Sequence, residues 1–391
     1  MEKQILDFLE LLKGALQDET VCISDDFDME WAETLAKRHR IVPLFYYGAV
    51  KAGISPESEQ MQRLFVSTVK HATIGAVQMK LVHEVFAAFD EAGIDYMPLK
   101  GTLLKQMYPA PEMRTMGDAD ILIHTNQYDR IRPIMLRLGY TEKLESDHEL
   151  TWSKPNSYIE LHKRLIPSYN KDYYAYYGDG WRLATEKNGT RYAMTDEDQM
   201  IYLFTHYAKH YRDSGIGVGH VLDLWVYRKN KPLLNEAYIV QELEKLMLDQ
   251  FYKNTLDTLA VWFEGKEPTA VTEMITSVIF NSGVFGKREI RILSAALKAA
   301  KKTGNAKSVR NRKVFYSIFP SYKEMQQKFT VLKKMPILLP VFWGVRIVKV
   351  LLFKRKEIAA SREEYRTSSE ENIDAYCEGL RFVGLDFNFK E

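Results

Sequence analysis

The heptapeptide at residues 117–123, with the sequence GDADILI, constrains the fold of this chain more than any other segment. In an extended strand the side chains alternate, so Asp118 and Asp120 share one face while apolar residues occupy the other. The apolar face has to pack under other elements. Two neighbouring carboxylates repel each other unless a cation neutralises them. The segment therefore predicts a buried strand whose polar face can hold a divalent metal ion such as Mg²⁺.

A second alternating segment supplies a third carboxylate. Residues 158–162 read YIELH, which places Glu160 and His162 on one face of a predicted strand. If this strand lies beside the one that carries Asp118 and Asp120, the three carboxylates converge. Such a cluster can hold two metal ions and activate a hydroxyl for attack on phosphorus. The plainer alternative is a solvated strand end and an edge strand with surface carboxylates.

A lysine–glycine turn precedes both carboxylate segments. Lys100, Gly101 and Thr102 lie between a short predicted strand at residues 94–99 and the start of a helix. Glycine at such a junction allows the backbone to approach a phosphate group closely, and the lysine and threonine side chains can add contacts. The spacing is not that of a Walker A loop, and a plain turn is the alternative. Arg114 can hold a phosphate group or pair with one of the aspartates.

Composition narrows the class of protein. The chain has 54 Lys and Arg against 52 Asp and Glu, and the resulting net charge of +2 gives no general attraction to nucleic acid. Its 391 residues, 46% of them hydrophobic, predict a soluble folded protein of two or three domains. Cys22 and Cys377 are the only cysteines, which excludes a disulfide framework and a cysteine-based zinc site. With no signal-peptide pattern at the N-terminus, the sequence predicts a cytoplasmic setting.

The spacing of apolar residues divides the chain into four regions. Residues 1–85 are predicted to be helical, and residues 86–195 to form a sheet core with packed helices. Helical spacing resumes over residues 196–302. Residues 303–391 hold a linker and a C-terminal helical segment. The predicted fold class is therefore mixed α+β, a small sheet core flanked by helical regions.

An apolar run at residues 336–353 tests the expectation of a soluble chain. Pro340 interrupts the run, and Arg346 and Lys349 lie near its middle, where each costs roughly 3 kcal/mol on insertion into a membrane. We interpret the run as a buried or partner-facing helix. A helix that lies on a membrane surface through residues 336–356 is the alternative.

Taken in order, the motifs resemble those of a known family. The resemblance is to the uncharacterised nucleotidyltransferase family of the DNA polymerase β-like superfamily, and it is carried by PLKG, MR, GDADILI and YIELHKRL. It covers about residues 98–165 and extends more loosely over residues 204–224. The resemblance implies a polymerase-β-like sheet core and an enzyme that uses Mg²⁺ or Mn²⁺. Such an enzyme transfers a nucleoside monophosphate from a nucleoside triphosphate to an acceptor hydroxyl and releases pyrophosphate.

The resemblance also implies roles for the motif residues. Asp118 and Asp120 would bind the metal ions that hold the triphosphate. Glu160 would ligate the catalytic metal and accept the proton of the acceptor. The residues implied to contact the nucleotide are Lys100, Gly101, Thr102, Arg114 and His162. Threonine stands where the superfamily usually has serine after the glycine, and the gap from the glycine to the aspartates is longer than in many members.

Some questions stay open at the level of sequence. The acceptor can be a protein side chain, an RNA end or a small metabolite, and the base preference is not readable. His206 and His210 share a helix face and with Asp223 could bind zinc, pack in the core, or line the cleft. A non-catalytic nucleotide-binding regulatory module and a peripheral membrane or scaffold protein are the alternative functions. The presence of all three carboxylates argues against a site that has lost its catalytic residues.

Overall fold

A computed structural model of the protein describes residues 2–284, 286–303, 319–333, 335–353, 366–367 and 369–386. The chain divides into two compact units. The first comprises Met1–Tyr211, Ile216–Phe285 and Val383–Glu391, and the second comprises Arg212–Gly215 and Gly286–Phe382. The boundaries of these two units differ from those of the four regions predicted from the sequence, and that four-region division stays a prediction.

Four helices precede the sheet in the first unit. They are α1 (Lys3–Gln17), α2 (Met29–His39), α3 (Val42–Lys51) and α4 (Glu59–Ala92). Ser58 caps the N-terminus of α4, because its side chain accepts a hydrogen bond from the N–H of Met61. Gly93 caps the C-terminus of α4, and its φ of 61° lies in the left-handed region that favours glycine. The predicted helical character of this region is confirmed.

One seven-stranded mixed sheet forms the centre of the first unit. Its strands are β1 (Tyr96–Pro98), β2 (Ala119–Ile123), β3 (Thr141–Glu145), β4 (Glu149–Lys154), β5 (Ser157–His162), β6 (Thr185–Asn188) and β7 (Arg191–Ala193). They lie in the order β3-β4-β5-β2-β1-β7-β6. Strand β2 is parallel to β5 and antiparallel to β1. The sheet and its flanking helices confirm the mixed α+β class.

The two faces of this sheet differ in polarity. Helices α5 (Gly101–Leu104), α6 (Tyr128–Arg137) and α7 (Lys171–Tyr177) lie between the strands in sequence. One face of the sheet packs on α4 and α6 in a continuous apolar core that includes Val82, Phe86, Phe89, Ile131, Met135, Ile121, Ile159 and Trp152. The alternate residues of the central strands therefore point to the opposite face, where the carboxylates lie.

Helices follow the sheet, as the sequence predicts. In the first unit they are α8 (Asp196–Asp213, of which the last two residues fall in the second unit), α9 (Val218–Asn230), α10 (Glu236–Lys245), α11 (Asp249–Phe263) and α12 (Ala270–Ser282). The side chain of Thr195 accepts a hydrogen bond from the N–H of Asp198 at 3.0 Å, which caps α8. The second unit contains α13 (Arg288–Thr303), α14 (Tyr322–Lys328), α15 (Leu339–Phe353) and α16 (Glu370–Phe382).

The apolar run near the C-terminus is helical. A 3₁₀ turn at Pro336–Leu338 leads into α15. Among the described residues, no helix combines the length and the apolar character needed to cross a membrane. The alternative of a membrane-surface helix through residues 336–356 stays a prediction, and residues 354–356 lie outside the described part of the chain.

Candidate active site

The polar face of the sheet brings Asp120 and Glu160 side by side. In the parallel pairing of β2 with β5, Asp120 lies directly opposite Glu160, and Leu122 lies opposite His162. The side chains that alternate with them are buried in the apolar core on the other face. The structure thus brings together the two segments that the sequence singles out, although α6, β3 and β4 lie between β2 and β5 in the sequence.

Asp120 is the centre of the site's charge network. Its Oδ1 lies 2.9 Å from the Nζ of Lys100 and 2.8 Å from the Nε2 of His162. Burial alone would raise the pKa of Asp120, but the charges of Lys100 and His162 outweigh burial and hold this pKa well below its usual range. Burial alone would lower the pKa of Lys100, and the charge of Asp120 raises it instead. Both groups are therefore charged at neutral pH.

Asp118 and Glu160 add two further carboxyl groups to the cavity beside Asp120. Burial, and after it the charges of Asp120 and Glu160, together raise the pKa of Asp118 to about 6. One ligand atom each of Asp120, Glu160 and His162 lies within 4.8 Å of the others. Two of these ligand atoms are carboxylate oxygens, which Mg²⁺ prefers, and the third is an imidazole nitrogen. The residues present therefore fit a divalent cation.

The lysine–glycine turn has an unusual backbone. Lys100 has a φ of 38° and a ψ of −106°, a strained conformation for a residue with a side chain. At Gly101 an added Cβ would lie 2.8 Å from the Sδ of Met116 and 3.0 Å from the Nη1 of Arg114, so a side chain there would displace both groups. Thr102 is buried, and its hydroxyl donates a hydrogen bond to the carbonyl of Leu99 at 2.9 Å. Lys100 and Gly101 line the cavity described below, whereas Thr102 is not among its lining residues.

Arg114 pairs with a carboxylate from the helical region rather than with Asp118 or Asp120. Its Nε and Nη2 donate to the two carboxylate oxygens of Asp223 at 2.7 and 2.8 Å. The hydroxyl of Tyr108 donates to the same carboxylate at 2.8 Å. The ion pair is largely buried, with 16% of the Arg114 side chain and 10% of the Asp223 side chain exposed. This bidentate pair fixes the guanidinium at the edge of the turn that holds Gly101.

Replacement of Asp223 with alanine is expected to lower the free energy of unfolding by about 3 to 5 kcal/mol, because it leaves the guanidinium of Arg114 buried without its partner. Urea denaturation of the purified full-length variant measures the change. Asp257→Ala is the matched control. Asp257 pairs with Lys266 at an exposed site, so its loss is expected to cost less than about 1 kcal/mol. Equal unfolding free energies for the two variants would contradict the prediction.

Three histidines form the wall of the site opposite the sheet. His206 and His210 lie one turn apart on α8 with their Nε2 atoms 3.1 Å apart, and the ring of His220 on α9 lies 6.1 Å from each. Burial lowers the pKa of all three imidazoles, and nearby positive charges lower those of His206 and His210 further. All three are therefore neutral at physiological pH. Within the described residues, His206, His210 and Asp223 do not form a group with metal-ligand spacing, which argues against the zinc alternative.

A cavity of about 520 Å³ connects these elements. The predicted residues that line it are Lys100, Gly101, Arg114, Asp118, Asp120, Glu160, His162, His206, His210 and Asp223. Arg40, His148 and Glu149 also line it, and none of these was predicted from the sequence. His148 and Glu149 reach the site because β4 pairs with β5, and no sequence pattern indicates that pairing.

One family model and two solved structures are similar to the chain. A family model described as uncharacterised nucleotidyltransferase matches residues 25–264, which is more than half of the chain. No curated protein matches the chain. Two structures of the antibiotic-resistance factor ANT(2'')-Ia are similar to it at 14% identity. The solution structure covers 47% of this chain and 96% of its own with a TM-score of 0.32. The crystal structure in complex with adenylyl-2''-tobramycin covers 43% and 97% with a TM-score of 0.33.

The match of the family model includes every residue of the carboxylate cluster, the lysine–glycine turn and the histidine wall. The motifs that carry the resemblance in the sequence lie around one cavity of the first unit. The chain therefore belongs to the uncharacterised nucleotidyltransferase family, and it is a transferase of nucleotidyl groups.

Proposed function

We propose that this enzyme transfers a nucleoside monophosphate from a nucleoside triphosphate to an acceptor hydroxyl and releases pyrophosphate, in a reaction that requires Mg²⁺ or Mn²⁺. The observation that carries the proposal is the gathering of Asp118, Asp120 and Glu160 around one cavity with Lys100, in a chain of this family. The acceptor is a protein side chain, an RNA end or a small metabolite.

Asp118, Asp120 and Glu160 are the proposed metal-binding residues. A bound divalent cation neutralises charge on the triphosphate and lowers the pKa of a hydroxyl that approaches it. Burial raises the pKa of Asp118, and repulsion from Asp120 and Glu160 adds to the rise; a bound cation would relieve that repulsion, which supports this assignment.

The proposed reaction is an in-line displacement at the α-phosphorus. The oxygen of the acceptor hydroxyl forms a bond to the α-phosphorus, and the bond from that phosphorus to the bridging oxygen of the β-phosphate breaks. Pyrophosphate leaves with the electron pair of the broken bond. Glu160 accepts the proton of the hydroxyl as general base, a role open to it because it borders the cavity.

The turn and Arg114 are proposed to hold the triphosphate. Lys100 keeps its positive charge beside Asp120, and a fixed ammonium group stabilises charge that develops on phosphate oxygens. The Nη1 of Arg114 is the guanidinium nitrogen that Asp223 does not use, and it lies next to Gly101. His162 orients Asp120 through its 2.8 Å contact. The contact predicted for Thr102 would require its hydroxyl to leave the carbonyl of Leu99.

The test supplies full-length protein with Mg²⁺, each α-labelled nucleoside triphosphate in turn, and fractionated protein, RNA and metabolite pools. Label is expected to enter one pool, with pyrophosphate in equal amount. Glu160→Gln is expected to slow the transfer by about 100-fold or more, which is the usual contribution of a general base. Glu145→Gln is the matched control, because Glu145 lies exposed on β3 and pairs with Lys163.

Two outcomes of this assay would contradict the proposal. One is Mg²⁺-dependent binding of the triphosphate with no transfer to any pool, which would favour a regulatory nucleotide-binding module. The other is transfer at equal rates by the wild type and Glu160→Gln, which would remove Glu160 from the reaction.

A further inference from the structure

We propose a second cation site beside the carboxylate cluster, formed by His148, Glu149 and His162 and suited to a transition-metal ion of the Zn²⁺ type. One ligand atom of each residue lies within 4.8 Å of those of the other two. Two imidazoles and a carboxylate are the ligands of open zinc sites, in which the protein provides three ligands. The proposal does not depend on the nucleotidyl transfer proposed above.

The sheet positions two of the three ligands. Glu149 at the start of β4 lies directly opposite His162 at the end of β5. Side chains paired in this way across antiparallel strands share one face of the sheet. His148 directly precedes β4, and its Nε2 lies 2.8 Å from the Oε2 of Glu149. The rings of His148 and His162 have centroids 5.8 Å apart. The cluster thus depends on strand register and not on a loop conformation alone.

His162 has the hydrogen-bond pattern of a metal ligand. Its Nε2 lies 2.8 Å from the Oδ1 of Asp120, whereas its Nδ1 is buried and has no hydrogen-bond partner in the described part of the chain. Only 4% of the side chain is exposed. A histidine that ligates a metal usually donates its other ring N–H to a carboxylate, which fixes the ring. Ligation through Nδ1 would leave that contact with Asp120 intact and would satisfy a buried polar atom.

The second site shares His162 with the carboxylate cluster, and the two sites differ in their other ligands. Mg²⁺ prefers oxygen ligands and fits Asp118, Asp120 and Glu160, whereas imidazole nitrogens favour Zn²⁺ and related ions. Glu149 supplies the negative charge that a divalent cation needs. All three ligands line the cavity, so the fourth coordination position is open to water or to a group of a bound substrate.

The test titrates Zn²⁺ alone into chelator-treated full-length protein by calorimetry, with Mg²⁺ in excess to occupy the oxygen ligands. The wild type is expected to bind Zn²⁺. His148→Ala and Glu149→Gln are each expected to weaken binding by more than about tenfold, because even the loss of an outer-shell partner costs 10- to 100-fold. His71→Ala is the matched control, since His71 lies on α4, contacts the carbonyl of Ser67 and does not line the cavity.

Co²⁺ provides a second readout, because a four-coordinate site absorbs visible light strongly. The wild type and His71→Ala are expected to show this band, and both site variants are expected to lose it. Unchanged Zn²⁺ affinity in Glu149→Gln, which preserves the shape of the side chain, would overturn the proposal even if His148→Ala does not fold. Failure of nucleotidyl transfer with this metal binding intact would overturn the proposed function and leave the second site standing.

Discussion

Asp120→Ala is expected to reduce nucleotidyl transfer by at least about 1,000-fold, which corresponds to about 4 kcal/mol of transition-state stabilisation. The reason is that one carboxylate serves three partners. It is a proposed metal ligand, and it contacts both Lys100 and His162. Its removal therefore disturbs the metal site and the phosphate-binding lysine together, and groups that act as a unit give large single-variant effects. Initial rates of label transfer measure the change.

A stability measurement separates lost chemistry from lost folding. Without Asp120, the Lys100 ammonium stays largely buried without its ion-pair partner, so the variant is also expected to lose about 3 to 5 kcal/mol of unfolding free energy. Rates are therefore compared at a temperature where circular dichroism shows the variant folded. Asp129→Ala changes an exposed position of α6 and is the control, for which we expect the wild-type rate of label transfer. A folded Asp120→Ala protein that transfers label at the wild-type rate would refute the assignment.

Strand content was predictable from the sequence because β2 and β5 each have one apolar and one polar face. Alternation of side chains indicates such strands directly, and the observed bounds differ from the predicted ones by a residue or so at most ends. Alternation does not say which strands are neighbours. The pairing of Asp120 with Glu160 comes from the parallel register of β2 and β5, which depends on the whole sheet.

The partners of Arg114 and Thr102 could not be predicted in the same way. Arg114 meets Asp223, which lies 109 residues away in the sequence, and no local pattern indicates which distant carboxylate an arginine will contact. Thr102 was predicted to contact phosphate, but hydroxyls near a helix start often bond to nearby backbone, as here to Leu99. Strands β6 and β7 also went unpredicted, because their residues do not alternate between polar and apolar, although Gly189 and Thr190 form the two-residue turn of a hairpin between them.

The loss of folding stability caused by gathering several carboxylates can be measured at Asp118. Its pKa rises from 3.8 to about 6 in the folded protein, first through burial and then through the charges of Asp120 and Glu160. A carboxyl group with a raised pKa binds its proton more tightly in the folded state. Ionisation therefore destabilises the folded protein as pH rises through about 6, and this cost is absent below 3.8.

Asp118→Asn is accordingly expected to stabilise the metal-free protein at pH 8 by about 3 kcal/mol, because the difference between the two pKa values is worth 1.36 kcal/mol per pH unit. The gain should shrink below pH 6 and vanish near pH 4. The same variant should lose nucleotidyl transfer, and Mg²⁺ should raise its melting temperature less than that of the wild type. Asp129→Asn, at an exposed position, should show no gain at any pH.

Denaturation curves in chelator at pH 8 and pH 4 provide the measurement. A protein optimised only for stability would carry asparagine at this position, so a gain in stability combined with a loss of transfer would indicate that Asp118 is retained for its function. Equal unfolding free energies for Asp118→Asn and the wild type at pH 8 would mean that the carboxylates do not repel one another. The electrostatic argument for a divalent cation between them would then fail, and the metal assignment would depend on ligand geometry alone.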